Sequence, residues 1–475
     1  MDYLAKRVFY VKEKTVPVRQ KLLILQPFKT YFYYMKRKLF IISMAASMIS
    51  SAGAQVTLTL KECIRIGIEN NLSLKTSRNE IAKGKLSISE NRAKLLPQIN
   101  AVANLNDNFA PPVSVTDGKA YGKLYNVTKT LQYNAAAGVQ LQMPLYSQMA
   151  RTAVSISQTV DNINQLSYEK AREDLMVQIA KIYYLAQNTR EQLGIINDNI
   201  KRFEELQAIT QAFHDNEMAL EVDLKRINVR LESTRVQAAN AEAMLTEQYN
   251  MLKYILDYPA DESITVEEKT VDNFDPAVMS GLNTKLYELQ LMEQNVTLAD
   301  QQIKLAKDAY KPTLALTANV MYSSYTDKFE NWFRSSESNH WYGSNGIGLS
   351  FRLPLFDGYE RRSKLRKAKL DAETARISYE NTFKNMQTQY ANAIKDQVNN
   401  QRNYFKQREN YLLAEDIYGV TYDRYREGIV SMVEVLQDQM SMSEAQNNYL
   451  TAHYNYQVSN LMVLKLTGQL DKLTE

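Results

Sequence analysis

The chain has 475 residues, of which 23% are charged and 45% hydrophobic, as is ordinary for a folded protein of up to two or three domains. Its formal net charge of +4 comes from the first 54 residues, which hold 10 lysines and arginines against 2 acidic residues. The remaining 47 basic and 51 acidic side chains give a slightly acidic protein, so nothing in the composition suggests nucleic-acid binding.

The N-terminal region has the pattern of an export signal. Met35 is followed by basic residues at 36–38, an apolar run over 39–49, and a small-x-small cleavage site at 52–54. A membrane anchor is the alternative, but the apolar run is shorter than the roughly 20 residues that a spanning helix needs. We interpret residues 35–54 as a cleaved signal peptide and residues 1–34 as an over-extended N-terminus.

The first half of the remaining chain, residues 55–279, alternates between helical and strand periodicity. Leu60, Ile64 and Ile68 recur every four residues, whereas beyond Pro97 the apolar residues alternate with asparagines. Asp107 to Thr130 contains prolines and glycines and is expected to be a loop. The predicted elements are helices over 58–95, 149–215 and 220–256, strands over about 97–107 and 131–145, and a linker over 257–279.

The second half, residues 280–475, repeats this order. VQLQMPLY at 139–146 returns as LSFRLPLF at 349–356, and in each copy we expect a strand that ends at the proline and gives way to a long helix. A loop rich in aromatic residues is expected from Tyr325 to Tyr342. The predicted elements are helices over 282–310, 358–427 and 432–466, and strands over about 312–324 and 343–356.

Two of the predicted helices are far longer than the diameter of a compact domain. At about 1.5 Å per residue, a helix over 149–215 would reach roughly 100 Å. Its apolar residues recur at spacings of three, four and seven, as in a coiled-coil seam, so it needs helical partners alongside. The breaks near 215–219 and at Gly428 then indicate two helical hairpins.

The four predicted strands have the length and alternation of transmembrane β-strands, for which about 9 to 11 residues suffice. A soluble sheet with one wet face would show the same pattern. Because no open sheet edge is tolerated within a bilayer, four strands would have to be shared among eight, twelve or sixteen from identical chains. Their polar residues would line a wet lumen; these are Asn100, Asn104, Gln140, Gln142, Asn319 and Arg352.

The signal peptide, the two repeats, the LPLF strand end and the EGIVSMVEVL turn at 427–436 together resemble the TolC family of outer-membrane efflux channels. The resemblance implies a mainly α fold with β, in which long helical hairpins form a periplasmic α-barrel. It further implies a homotrimer with a shared 12-stranded barrel in outer-membrane lipid. The expected function is a passive exit duct that meets a periplasmic adaptor protein and an inner-membrane transporter.

The resemblance also indicates functional residues. Family members contact the adaptor through their hairpin tips and narrow the periplasmic end with acidic residues just after the second tip. Glu434 matches the first acidic position, whereas Gln437 replaces the second; Asp438 and the repeat mate Asp223 are weaker gate candidates. The matching tip residues are Asn216, Glu217, Met218, Ala219 and Leu220 in the first hairpin, and Gly428, Ile429, Val430, Ser431 and Met432 in the second.

No enzymatic motif accompanies these features. His214, His340 and His453 lie far apart and have no metal-ligand spacing with one another, so we expect no cofactor, no metal and no catalytic activity. A secreted or periplasmic coiled-coil scaffold or adhesion protein is the alternative function, in which the strands would form a soluble cap. Drugs, metal ions, siderophores and secreted proteins all remain open as cargo.

Overall fold

The computed structural model describes residues 56–117, 122, 124–268, 281–333 and 340–474. The expected signal peptide and the expected over-extended N-terminus therefore lie outside the described residues. By backbone contacts, Val56 and Asp261–Thr265 belong to a small unit, and the other described residues belong to a large unit. In the small unit the Val56 amide donates to the Ser263 carbonyl oxygen at 3.1 Å.

The expected helix over 58–95 is instead a short strand and two helices. Strand β1 (Val56–Leu58) precedes α1 (Leu60–Asn70) and α2 (Leu72–Ala93). Thr59 and Glu62 form a capping box at the start of α1. Asn71 takes a non-helical ψ of 126°, and its side chain accepts hydrogen bonds from the Ser73 and Leu74 amides. It thereby ends one helix and caps the next, which the four-residue apolar spacing did not reveal.

Four long helices make up two antiparallel hairpins of the large unit. The first hairpin consists of α3 (Gln148–Asp215) and α4 (Glu221–Leu256), and the second of α6 (Glu360–Arg426) and α7 (Met432–Thr467). Helix α3 packs against α4 and α7, and α7 packs against α6. The hairpins are thus joined through α3 and α7, which leaves α4 and α6 at the two edges of a four-helix layer.

The remaining elements of the large unit connect these hairpins to a sheet. Helix α5 (Tyr287–Asp308) packs between α3 and α6, and α2 packs on α3. A 3-10 turn (Leu470–Leu473) follows α7 in this unit, whereas Ile264 and Thr265 of the short strand β6 (Ile264–Val266) belong to the small unit. None of the helices in the described residues combines the length and the apolarity required to cross a membrane.

The sheet contains four antiparallel strands, which are, in spatial order, β2 (Gln98–Asp107), β5 (Tyr133–Ser147), β7 (Thr313–Thr326) and β8 (Trp341–Arg352). The expectation that each repeat has a strand ending at proline is wrong in detail. Pro144 lies inside β5 beside a bulge that ends at Tyr146, whereas Pro354 follows the end of β8. A bulge is a position where a strand tolerates proline.

The register places the polar side chains on one face of the sheet. Directly opposed residues share a face, and Asn100, Gln140, Asn319 and Gly346 form one such row across the four strands. The neighbouring row on the other face is Ile99, Leu141, Ala318 and Ile347. The six polar residues singled out from sequence therefore all project from the same face, as predicted.

Two stretches expected to be loops contain regular structure. Within Asp107 to Thr130, strands β3 (Val113–Asp117) and β4 (Tyr125–Lys129) form a hairpin. Within Tyr325 to Tyr342, a 3-10 turn spans Phe329–Phe333, while β7 and β8 extend to Thr326 and back to Trp341. Five-residue strands that are almost wholly exposed leave too short a pattern for periodicity to detect.

A network of charged residues connects the two repeats within the large unit. Asp174 on α3 accepts from Lys170 at 3.0 Å and from Lys465 of α7 at 2.7 Å. Arg172 lies 3.4 Å from Asp471 in the C-terminal turn. Burial raises the pKa of the neighbouring Glu173 to about 7, despite the nearby positive charge of Lys465. This junction therefore contains a carboxyl group that titrates near neutrality.

Candidate functional site: the two hairpin tips

Both hairpin tips have the same backbone construction. At the first tip the Glu217 amide donates to the His214 carbonyl at 2.9 Å, and the Met218 amide to the Phe213 carbonyl at 2.7 Å. At the second tip Gly428 and Ile429 repeat this pattern, with distances of 2.8 and 2.9 Å. This is the Schellman arrangement, which needs one residue in the left-handed region. That residue is Glu217 (φ 62°) at the first tip and Gly428 (φ 74°) at the second.

The helices that leave the two tips begin differently. Leu220 precedes α4 without a side-chain cap, whereas the Ser431 hydroxyl accepts a hydrogen bond of 3.4 Å from the Glu434 amide. Acidic residues occupy the first turn of both helices, with Glu221 and Asp223 in α4 and Glu434 in α7. Negative charge is favourable there because the helix dipole is positive at its N-terminus.

The structure brings the two tips together over one hydrophobic cluster. The Met218 methyl group lies 3.9 Å from the position that a Cβ atom on Gly428 would occupy. Beneath the tips, buried side chains from all four long helices form a continuous core. Its members are Phe203, Leu206, Ile227, Leu231, Tyr418, Tyr425, Met432, Val435, Leu436 and Met442.

The three acidic gate candidates have different environments. Asp438 is half-buried, and its carboxylate accepts a hydrogen bond of 2.6 Å from the Thr421 hydroxyl. Asp223 is paired with Arg226 at 2.9 Å, and 17% of its side chain is exposed. Glu434 is exposed, and the described part of the chain offers its carboxylate no hydrogen bond or ion pair. Of the three, Glu434 alone has a carboxylate with neither a hydrogen bond nor an ion pair among the described residues.

Polar contacts that the sequence analysis did not single out connect α3 to α6 near the tips. The Tyr425 hydroxyl meets the buried Thr210 hydroxyl at 2.9 Å, and the Tyr422 hydroxyl donates to Glu205 at 3.1 Å. Burial raises the pKa of Tyr425, so its hydroxyl stays protonated. Arg202 reaches Glu415 at 3.2 Å.

A sequence signal for these contacts exists in the spacing of the α6 tyrosines. Tyr404, Tyr411, Tyr418 and Tyr425 follow one another every seven residues, which keeps them on one side of the helix. Tyr404 and Tyr411 each stack on Tyr449 of α7, at centroid distances of 5.9 and 5.5 Å. Tyr425, which meets Thr210, is the last residue of this heptad series, while Tyr404 and Tyr411 contribute to the contact between α6 and α7.

The described residues contain no group of three or more histidine, cysteine or carboxylate side chains that could hold a metal ion. Cys63 is fully buried, and burial raises the pKa of its thiol to about 12. It is therefore a packed side chain rather than a reactive one.

Comparison with known proteins agrees with this architecture. The chain is 22% identical over 417 residues to the probable outer membrane lipoprotein SilC of Salmonella typhimurium, which covers 84% of each protein. It is 22% identical over 402 residues to the outer membrane protein TolC of Escherichia coli, covering 81% of this chain and 77% of TolC.

Among solved structures, the outer membrane protein VceC of Vibrio cholerae superposes with a TM-score of 0.71 at 15% identity, covering 86% of this chain and 96% of VceC. This likeness confirms the TolC-like fold with its two repeats. The outer membrane efflux protein family matches residues 64–256 and 287–469, one segment in each repeat. The chain belongs to the outer membrane efflux protein family.

Proposed function

We propose that this protein is the outer-membrane exit duct of a tripartite efflux or type I secretion system, assembled as a ring of three identical chains. The observation that carries the proposal is that the chain is open at both edges. Among the described residues, strands β2 and β8 each pair on one side only, and they bound the sheet at opposite ends. Lipid supplies no hydrogen bonds to such edges, so they must pair with other copies, β2 of one against β8 of the next.

The helical layer is open in the same way. Helix α4 exposes Val222, Val229 and Val236 at intervals of seven residues, and α6 exposes a similar series. Exposed apolar residues at heptad spacing are the seam of a missing helical partner. Because the two seams lie on opposite edges of the layer, they suit a head-to-tail ring. The α6 seam consists of Leu370, Ile377, Val398, Phe405 and Leu412.

In this ring the sheet is the membrane-embedded part and the hairpin tips are the opposite, periplasmic end. The apolar sheet face meets outer-membrane lipid, while the row through Asn100 and Gln140 faces water. Three copies of Glu434 around a narrow opening repel one another and attract cations, which makes Glu434 the gate residue we favour. Asp438 and Asp223 are weaker candidates because Thr421 and Arg226 already engage them.

The tips also supply the proposed docking surface for a periplasmic adaptor, which would connect the duct to an inner-membrane transporter. Met218, Leu220 and Ile429 are exposed apolar side chains at the end of the hairpins. Their positions on rigid Schellman turns would present them to a partner at low entropic cost. Family membership favours this duct over a secreted coiled-coil scaffold, and family members are channels rather than enzymes.

The ring is tested by placing a charge on the α6 seam. Phe405→Asp is expected to abolish the trimer band of unheated detergent samples and the single-channel conductance in planar bilayers, because three carboxylates would be buried without partners. Asn403→Asp adds the same charge at an exposed position two residues away and should leave both unchanged. If Phe405→Asp still forms trimers with normal conductance, the α6 seam is not a subunit contact. If the wild-type protein is monomeric and does not conduct, the proposed duct is wrong.

A further inference from the structure

The polar face of the sheet, which carries the row through Asn100 and Gln140, is almost free of charge. The four described strands of this sheet contain only two charged residues, Asp107 and Arg352. Asp107 lies an odd number of positions from Asn100 on β2 and therefore belongs to the opposite face. The other polar groups on the polar face are amides and hydroxyls. Arg352 is thus the single charge that the strands of one chain place on this face.

The strand register places Arg352 at the end of the sheet that adjoins the helices. Arg352 is opposed by Thr313, the first residue of β7. Thr313 is opposed in turn by Ser147, the last residue of β5 and the N-cap of α3. In the proposed ring, three copies of this row surround the lumen where the barrel meets the helical tube. We call this level of the duct the barrel base.

The charge of Arg352 is not balanced by neighbours in the described part of its chain. Arg352 is exposed, and its guanidinium has no hydrogen bond or ion pair there. The carboxylates that flank β7 and β8 at this end of the sheet are already engaged by other cations. These ion pairs are Asp308–Lys311 at 2.7 Å, Asp357–Arg361 at 2.6 Å and Glu360–Lys364 at 2.6 Å. An exposed guanidinium therefore acts on dissolved ions within a Debye length, about 10 Å at 0.1 M salt.

We infer that Arg352, present once in each of three chains, makes the barrel base attract anions and repel cations. The inference rests on the proposed function and adds a charge preference to it. Cargo that carries carboxylate, phosphate or sulfonate groups is favoured at the barrel base, and polycations are disfavoured there. Glu434 has the opposite preference at the periplasmic end, so the two ends of the duct differ in sign.

Thiol labelling measures the electrostatic potential beside Arg352. Ser350→Cys places a thiol on the polar face, two residues away on β8. Purified trimers in nonionic detergent are labelled with the anionic sulfonatoethyl or the cationic trimethylammonioethyl methanethiosulfonate. The buried Cys63 stays in place, and the wild-type protein reports its background labelling.

Removing the charge should change the two labelling rates in opposite directions. Arg352→Gln is expected to lower the ratio of the anionic to the cationic rate about five-fold at about 10 mM salt, because a guanidinium about 7 Å away acts with opposite sign on the two reagents. The effect should almost disappear at about 1 M salt, where the Debye length is about 3 Å. A purely structural role of Arg352 would not depend on salt in this way.

Three variants provide the controls. Arg352→Lys keeps the positive charge and should keep the ratio of rates. Arg362→Gln removes another exposed positive charge, which lies on α6 outside the sheet, and should leave the ratio unchanged. Leu349→Cys places the thiol on the opposite face of β8, which detergent covers in the proposed barrel, so that both reagents should react slowly.

The possible failures of the inference and of the proposed function are distinct. An unchanged ratio in Arg352→Gln, with Leu349→Cys protected, would overturn the inference and leave the duct standing. An equal fall of the ratio in Arg362→Gln would also overturn it, because the potential would then not come from Arg352. If Leu349→Cys reacts as fast as Ser350→Cys, or if the wild-type protein forms no trimers, the sheet is not part of a shared barrel and the proposed function itself is wrong.

Discussion

The two hairpin tips share one backbone conformation but place different residues at its strained position. An L-amino acid in the left-handed region costs roughly 1–2 kcal/mol, whereas glycine adopts it freely. Glycine loses roughly 0.5–1 kcal/mol more backbone entropy on folding, which offsets part of that advantage. The net expectation is that Gly428→Ala destabilises the second tip by about 1 kcal/mol and that Glu217→Gly stabilises the first tip by about 1 kcal/mol.

The space around Gly428 means that the free-energy change of Gly428→Ala depends on backbone conformation alone. A Cβ atom there would meet only the Met218 methyl at 3.9 Å, which is ordinary van der Waals contact, so no steric clash is added. The readout is hydrogen exchange at the amides that close the turns, those of Met218 and Ile429. One kcal/mol corresponds to a change of about five-fold in the local opening equilibrium.

We therefore expect Gly428→Ala to speed exchange of the Ile429 amide about five-fold and Glu217→Gly to slow exchange of the Met218 amide by a similar factor. The control is Gly419→Ala, a helical glycine with no neighbouring atom within 4 Å of an added Cβ. It should leave exchange at both tips unchanged. The reasoning is refuted if Gly419→Ala and Gly428→Ala act alike at Ile429, or if Glu217→Gly accelerates exchange at Met218.

Two further predictions concern charge. Burial raises the pKa of Glu173 from 4.5 to about 7, so the protonated form is favoured on folding and stability is lost as pH rises through about 7. Glu173→Gln should therefore raise the unfolding temperature at about pH 8.5 and not at about pH 4.5, with a gain of about 1 kcal/mol after solvent screening; equal gains at both would contradict it. At the gate, Glu434→Gln should weaken block by divalent cations added from the periplasmic side and alter the resting conductance, and the acidic-ring hypothesis is wrong if neither changes.

Much of this architecture follows from periodicity along the chain. The three- and four-residue spacing over α3 predicts a helix of coiled-coil type, and residues such as Ile179 and Leu206 are indeed buried. The alternation in β2 predicts which side chains share a face, and the register through Asn100 and Gln140 follows it. Helix and strand periods are local properties, so neighbouring residues suffice to determine them.

Periodicity did not predict the shorter and more exposed features. Asn71 interrupts a regular apolar spacing because its side chain caps the next helix, an effect of one residue within a long pattern. The β3–β4 hairpin buries almost nothing in its own chain, and so it leaves no apolar signal strong enough to separate it from a loop. The first depends on the hydrogen bonds of one side chain and the second on a backbone ladder of five residue pairs, and apolar periodicity reports neither.

The sequence by itself determined the repeat, the helical hairpins, the positions of the tips and the polar face of the sheet. Only the tertiary structure decided how the three acidic candidates differ, because Thr421 and Arg226 engage Asp438 and Asp223, whereas no described side chain engages Glu434. It also decided that Thr210 meets Tyr425, 215 residues further along the chain. Contacts of this kind depend on the register in which two long helices pack. A shift of that register by one residue would bring different side chains into contact.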